Sequence, residues 1–138
     1  MLKKYFAVYT AILGLIIFVV NAFGNAYAWY YLYPNLDVIM HLAGGVFVGN
    51  IGLYVYYFMD VTTPHHRSIF AKIFIAVATA AIVSIGWEIF EFILDTNSNR
   101  IPALLFQLDM ADTMSDLAIG ISGGILAALL FNYIWKTK

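Results

Sequence analysis

Long apolar stretches separated by short polar segments dominate this chain. Four stretches are long enough to cross a bilayer, whose hydrocarbon core requires roughly 20 apolar residues in a helix. They cover approximately residues 5–33, 38–59, 69–94 and 113–135. The segments between them contain Pro34, Pro64 and Pro102 together with charged residues. The pattern predicts an all-α integral membrane protein, with residues 1–138 forming a single domain of four transmembrane helices.

Composition agrees with this fold class. Hydrophobic residues make up 63% of the 138 residues and charged residues 11%, whereas soluble domains are about half apolar and about a quarter charged. The chain contains no cysteine, which excludes disulfides and thiolate nucleophiles. Membrane lipid is therefore the expected surrounding and partner, and no nucleic-acid partner is expected.

The charged residues are segregated between the two ends of the predicted helices. Six of the seven basic residues lie near the termini and the middle connection: Lys3, Lys4, Arg67, Lys72, Lys136 and Lys138. Because basic residues accumulate on the cytoplasmic side, both termini are expected to be cytoplasmic, and the protein is expected in the cytoplasmic (inner) membrane. Seven of the eight acids lie at the opposite end with Arg100, and this end is expected to face outward.

The N-terminus allows a second interpretation. Lys3 and Lys4 precede an apolar stretch that leads to Ala26-Tyr27-Ala28, which resembles a signal-peptidase site. The apolar stretch is long for a signal peptide, and its removal would leave three spans. Retention as the first transmembrane helix is therefore the preferred interpretation.

Acidic residues recur at helical spacing near the outer end of three spans. Asp37 and His41 are four residues apart and are adjacent on a helix surface. Glu88, Glu91 and Asp95 form a stripe about 10 Å long. Ionisable groups inside the hydrocarbon region cost at least about 2.5 kcal/mol each, so they must face protein, water or a cation. The two glutamates are therefore expected to be functional.

The fourth span begins with the same three-then-four spacing. Its members are Asp109, Asp112 and Asp116. Arg100 lies in the preceding connection, where it serves either as an exposed loop residue or as a counter-ion that binds an anionic group. Trp87 adjoins the glutamate stripe and is expected to form a wall of the site.

Several of these residues also have structural interpretations. Asp37 precedes its helix and can act as an N-cap, and Asp109 and Asp112 can interact with a helix N-terminus in the same way. His41 can be a hydrogen-bonded core residue or a functional group oriented by Asp37. Asp116 lies one turn further into its helix, so capping does not explain it.

Small residues on three spans indicate close helix packing. Gly45-Val-Phe-Val-Gly49 and Gly120-Ile-Ser-Gly-Gly124 are GxxxG patterns, which allow helix backbones to approach one another. The small residues over 76–84 of the third span are expected to pack against these glycines. His65 and His66 lie on the basic side and are interpreted as loop residues.

Taken in order, these motifs resemble the YjdF family of small bacterial membrane proteins, which is itself similar to VanZ-like proteins. The resemblance extends over 37–124 and leaves the first span unmatched. Its motifs are Asp37-x-x-x-His41 followed by Gly44-Gly45, Trp87-Glu88-x-x-Glu91, and Gln107-x-Asp109-x-x-Asp112-x-x-x-Asp116.

The similarity to VanZ-like proteins implies comparable places for a set of polar residues and one glycine: Asp37, His41, Glu88, Arg100, Asp116 and Gly124. Two positions depart from the VanZ-like pattern, with Glu91 in place of glutamine and Gly120 in place of asparagine. VanZ is associated with glycopeptide-antibiotic resistance at the cell envelope. The two departures weaken any transfer of that role from VanZ to this protein. The YjdF family has no established reaction.

We expect a carboxylate-rich site that binds a divalent cation and a lipid or lipid-linked envelope precursor. Carboxylate oxygens suit Mg²⁺, Mn²⁺ or Ca²⁺ better than structural Zn²⁺. The candidate metal ligands are Asp37, His41, Glu88, Glu91, Asp95, Asp109, Asp112 and Asp116. Metal-dependent hydrolysis or phosphoryl transfer would use His41, Glu88, Glu91 and Asp116 as catalytic groups, with Arg100 and Trp87 binding the substrate.

Two other functions use the same residues. The acids could serve a cation or proton transporter or sensor, although the inner halves of the spans lack matching ionisable residues. Transport would therefore require a homo-oligomer or a large motion. Alternatively, the protein binds an envelope ligand without catalysis. No Ser-His-Asp or Cys-His arrangement is apparent, which disfavours acyl transfer.

Overall fold

The computed structural model describes residues 2–59, 68–97 and 109–134, and every element in these ranges is helical. The helices are α1 (Leu2–Ala26), α2 (Trp29–Leu32), α3 (Asn35–Tyr54, continued by a π-helical segment Val55–Met59), α4 (Ile69–Asn97) and α5 (Met110–Ile134). Four of them, all except α2, are long and apolar enough to cross a membrane. The predicted all-α architecture with four spans is confirmed for the described residues, and the orientation of the termini stays a prediction.

The first helix ends earlier than the hydrophobic pattern predicts. It stops at Ala26, and Ala28 adopts the left-handed conformation with φ 54° and ψ 36°. A left-handed residue cannot continue a right-handed helix, so the chain turns there and forms the separate helix α2. The aromatic end of the predicted first span therefore lies in a short helix next to the start of α3.

Glycines bring α3, α4 and α5 into close contact. A Cβ atom on Gly45 would overlap the carbonyl oxygen of Gly120, and one on Gly124 would lie 2.8 Å from both the carbonyl oxygen of Ala76 and the Cβ of Ala80. The two GxxxG patterns thus pack against each other and against the small residues of α4. This confirms their predicted packing role.

A compact apolar cluster fills the bundle toward its basic end. Phe6, Leu53 and Phe131 have essentially no solvent exposure, and the rings of Phe6 and Phe131 meet edge to face with centroids 5.0 Å apart. Alanines of α4 and α5 complete this cluster. The apolar core therefore occupies one end of the bundle, and α1, which packs mainly against α3, is attached there through Phe6.

Candidate functional site

His41 lies at the centre of the acidic residues. Its Nε2 atom is 3.5 Å from Oδ1 of Asp37 and 3.8 Å from Oδ2 of Asp116, and its Nδ1 atom is 3.9 Å from Oε1 of Glu88. The two ring nitrogens thus face carboxylates from three different helices. One acid of each of these helices, Asp37, Glu88 and Asp116, therefore lies beside this imidazole.

Three carboxylates close to His41 are buried within the bundle, whereas the side chain of Asp37 is 31% exposed. Glu88 is 5% exposed, Glu91 7% and Asp116 4%, and the imidazole of His41 is 8% exposed. Spacing explains this placement, because positions 88 and 91 lie on one face of α4 and that face is directed toward α3 and α5. The prediction that Glu88 faces protein rather than lipid is confirmed.

Trp87 positions one of these carboxylates. Its indole Nε1 donates a hydrogen bond of 2.8 Å to Oε1 of Glu91. The ring itself is 39% exposed, so it connects the buried acid to the surface of α4. Trp87 therefore forms a wall of the site, as the sequence predicts.

Two overlapping sets of side chains have the donor geometry of a cation site. Ligand atoms of Asp37, His41 and Asp116 lie within 4.8 Å of one another, as do those of His41, Glu88 and Glu91. Ligands around one Mg²⁺ or Ca²⁺ ion are separated by about 3–5 Å, given metal–oxygen distances of about 2.0–2.6 Å. Either set could therefore hold a cation. We name these five residues the acidic cluster.

The other predicted metal ligands do not join either set. Oδ1 of Asp109 accepts the backbone N–H of Asp112 at 2.9 Å, which is the geometry of a helix N-cap. Asp95 lies further toward the end of α4, and Asp112 lines the cavity described below. Arg100 lies outside the described residues, as do His65 and His66.

A cavity of about 900 Å³ opens beside the acidic cluster. Asp37, His41 and Glu91 lie in its polar part, whereas Ile17 and Val48 lie in its apolar part. Helices α1, α2, α3 and α4 all contribute to its walls. Its size suits a ligand as large as a lipid headgroup with part of a chain.

The sequence pattern does not reveal a second polar group on this cavity. The hydroxyl of Tyr30 donates a hydrogen bond of 2.7 Å to Oδ1 of Asn21, and Nδ2 of Asn25 donates to the same oxygen at 3.1 Å. All three residues line the cavity. We name them the neutral polar group. Their only sequence signal is two asparagines four residues apart, which is a weak one.

Tyr30 stays uncharged in this position. Burial raises the pKa of its hydroxyl to about 12, and the nearby carboxylates of Asp37 and Glu91 act in the same direction. The phenol therefore remains protonated at physiological pH and serves as a hydrogen-bonding group.

The fold and the site define a small four-span membrane protein with a buried carboxylate–histidine cluster beside a ligand-sized cavity. A family model described as "Predicted membrane protein (DUF2238)" matches residues 3–137. The chain therefore belongs to the DUF2238 family, which is also known as YjdF. No curated protein and no solved structure matches the chain. The similarity to VanZ-like proteins stays a prediction.

Proposed function

We propose that this protein binds a divalent cation at the acidic cluster and, through that cation, the polar headgroup of a lipid or lipid-linked envelope precursor. The observation that carries the proposal is the burial of Glu88, Glu91 and Asp116 against His41 within an apolar bundle. Mg²⁺, Mn²⁺ and Ca²⁺ are the ions that suit this donor set, because oxygen atoms predominate in it.

Charge balance supports a bound cation. Within the described ranges, His41 is the one imidazole beside the four carboxylates, and the lysines belong to the opposite end of the bundle. Protonated His41 would offset one negative charge. Burying uncompensated charge is costly, and a divalent ion would offset two more.

The cavity supports a lipid-type ligand. It continues from the acidic cluster to apolar side chains of α1 and α3, including Ile17 and Phe47. These residues lie well inside helices long enough to span the membrane. A ligand with a polar head and an apolar chain matches this arrangement better than a fully polar solute does.

The same arrangement suits hydrolysis or phosphoryl transfer. A divalent ion bound here would polarise a phosphoryl oxygen and lower the pKa of a bound water. His41 would accept or donate a proton in this reaction, and the proximity of both ring nitrogens to carboxylates supports that role. The carboxylates of one of the two sets would hold the ion, and Trp87 and Arg100 would contact the headgroup.

Cation or proton transport is the second candidate, since membrane carboxylates commonly serve it. The buried cluster of Phe6, Leu53 and Phe131 argues against a conduction path through one copy. Those side chains fill the bundle at the end opposite to the acids. Ion flux in liposomes that disappears with Glu91→Gln would favour transport over ligand binding.

Metal-dependent stabilisation tests the proposal directly. Purified protein should be stabilised by at least one of Mg²⁺, Mn²⁺ or Ca²⁺, by about 2.7 kcal/mol at a 100-fold excess over Kd. Glu88→Gln should remove most of this metal-dependent increase. Asp109→Asn is the matched control, because it removes one charge at a helix cap and should retain the increase. An unchanged melting temperature of the wild type with every ion, or full stabilisation of Glu88→Gln, would contradict cation binding.

A further inference from the structure

The turn between α1 and α2 carries a polar surface that the proposed cation site does not use. Asn21, Asn25 and Tyr30 line the same cavity as Asp37 and Glu91. None of the three carries a formal charge at neutral pH. The cavity therefore contains two chemically different polar regions, one acidic and one neutral.

Hydrogen bonds within the neutral polar group leave complementary atoms for a ligand. Tyr30 donates its proton to Asn21, so its phenol oxygen retains the capacity to accept. Nδ2 of Asn25 donates to the side chain and the backbone carbonyl of Asn21, which leaves Oδ1 of Asn25 as an acceptor and Nδ2 of Asn21 as a donor. A ligand hydroxyl both donates and accepts, and it matches this set.

The group is also held in place by the chain turn. Gly24 lies against the ring of Tyr30, and a Cβ atom there would be 2.8 Å from its Cε2 atom. The left-handed conformation of Ala28 turns α2 back toward α1, which brings Tyr30 within hydrogen-bonding distance of Asn21. The three side chains are thus oriented before a ligand arrives, which lowers the entropic cost of binding.

The third region of the cavity is apolar. Ile17, Phe47, Val48 and Val83 come from α1, α3 and α4. They lie deeper along their helices than the polar residues do. An acyl or prenyl chain placed there would be removed from water, and so would the apolar side chains that it covers.

We propose that the cavity binds an anionic lipid with a hydroxylated headgroup, whose hydroxyls are held by Asn21, Asn25 and Tyr30. Its phosphate would lie at the acidic cluster and its chain along the apolar region. The phosphate position rests on the cation site of the proposed function. The hydroxyl position rests on the neutral polar group alone.

Phosphatidylglycerol and phosphatidic acid with identical chains provide the test, because only the former has alcohol hydroxyls in its headgroup. Their dissociation constants are measured by native mass spectrometry of the full chain in detergent with Mg²⁺. Tyr30→Phe should lower the preference for phosphatidylglycerol over phosphatidic acid by about two- to tenfold, which corresponds to one net hydrogen bond. Tyr33→Phe makes the same chemical change at an exposed position outside the cavity and should leave the ratio unchanged.

A second variant tests the position of the hydroxyl without removing it. Gly24→Ala should displace the Tyr30 ring and lower the same ratio. If Tyr30→Phe and Gly24→Ala both retain the wild-type ratio, or if Tyr33→Phe lowers it equally, the inference is overturned.

The acidic cluster gives an independent result in the same assay. Glu88→Gln should weaken binding of both lipids and retain their ratio. If Glu88→Gln changes neither affinity while Tyr30→Phe still lowers the ratio, the cation proposal fails and the hydroxyl site stands. If Glu88→Gln weakens binding of both lipids while Tyr30→Phe retains their ratio, the hydroxyl site is overturned and the cation site is supported.

Discussion

Trp87 connects the surface of α4 to the acidic cluster through a single hydrogen bond. The indole donates to Oε1 of Glu91 at 2.8 Å, which fixes the orientation of a carboxylate that is 7% exposed. A partner that orients a metal ligand in this way commonly contributes about 10- to 100-fold in metal affinity. Because this partner is partly exposed, we place its contribution at the lower end of that range.

We expect Trp87→Phe to weaken Mn²⁺ binding about tenfold while the protein remains folded. The phenyl ring preserves most of the apolar contact but cannot donate a hydrogen bond to Glu91. Isothermal titration with Mn²⁺ measures the effect. Trp29→Phe, in the α2 helix outside the cavity lining, is the matched control and should bind as the wild type does. Equal affinity of Trp87→Phe and wild type would show that the indole does not position a ligand.

The members of the acidic cluster could be predicted from the sequence because charged residues are rare in apolar helices. Glu88 and Asp116 stand out there, and helical spacing relates each to its neighbours. The neutral polar group could not be predicted in the same way. Asparagine and tyrosine are ordinary near a membrane interface, and Asn21 and Tyr30 become neighbours only because the chain turns at Ala28.

At the level of elements, the contact between α3 and α5 determines the geometry of the site. His41 of α3 and Asp116 of α5 come together one turn away from the contact between Gly45 and Gly120. Any increase in the distance between these helices would therefore separate the imidazole from the carboxylate.

Gly45→Ala and Gly44→Ala should differ in their effects on stability and on Mn²⁺ binding. A Cβ atom at Gly45 would overlap backbone of α5, whereas one at Gly44 meets nothing within 4 Å. Overpacking of this kind costs typically about 1–3 kcal/mol, so Gly45→Ala should lower the melting temperature and weaken Mn²⁺ binding. Gly44→Ala should retain Mn²⁺ binding and should not lower the melting temperature, because alanine stabilises a helix interior relative to glycine. Similar behaviour of the two variants, measured by thermal unfolding in detergent, would contradict the packing role of Gly45.

Element types were more predictable than element ends. Apolar length alone predicts four spans, since a bilayer imposes that length on any helix that crosses it. The end of α1 at Ala26 has no comparable signal, because alanine favours helix and neither glycine nor proline marks the break. The break is accompanied by side-chain contacts of α2 with α1, such as the hydrogen bond from Tyr30 to Asn21, and the hydrophobic pattern carries no information about these contacts.

Considered as a whole, the molecule has an apolar end and a polar end. The rings around Phe6 and Phe131 close the bundle on one side, and the cavity opens among α1 to α4 on the other. This division favours a ligand that enters and leaves at the polar end or from the bilayer. A continuous path for ions would need to cross the apolar end, which carries no described carboxylate.

The biological role of the polar end depends on which side of the membrane it faces. The basic residues near the termini and the middle connection predict that the acidic end is outside. Because the chain has no cysteine, single cysteines can report this directly. Tyr33→Cys places a thiol at an exposed position at the acidic end, and Ser68→Cys places one at the basic end.

A membrane-impermeant maleimide added to intact spheroplasts should label Tyr33→Cys and should label Ser68→Cys only after the membrane is opened. This result would give ligands of the outer leaflet and the cell envelope access to the acidic cluster. Labelling of Ser68→Cys alone in intact spheroplasts would reverse the orientation. The cation and headgroup sites depend only on packing and would survive that reversal, but their ligand would then have to come from the cytoplasmic leaflet.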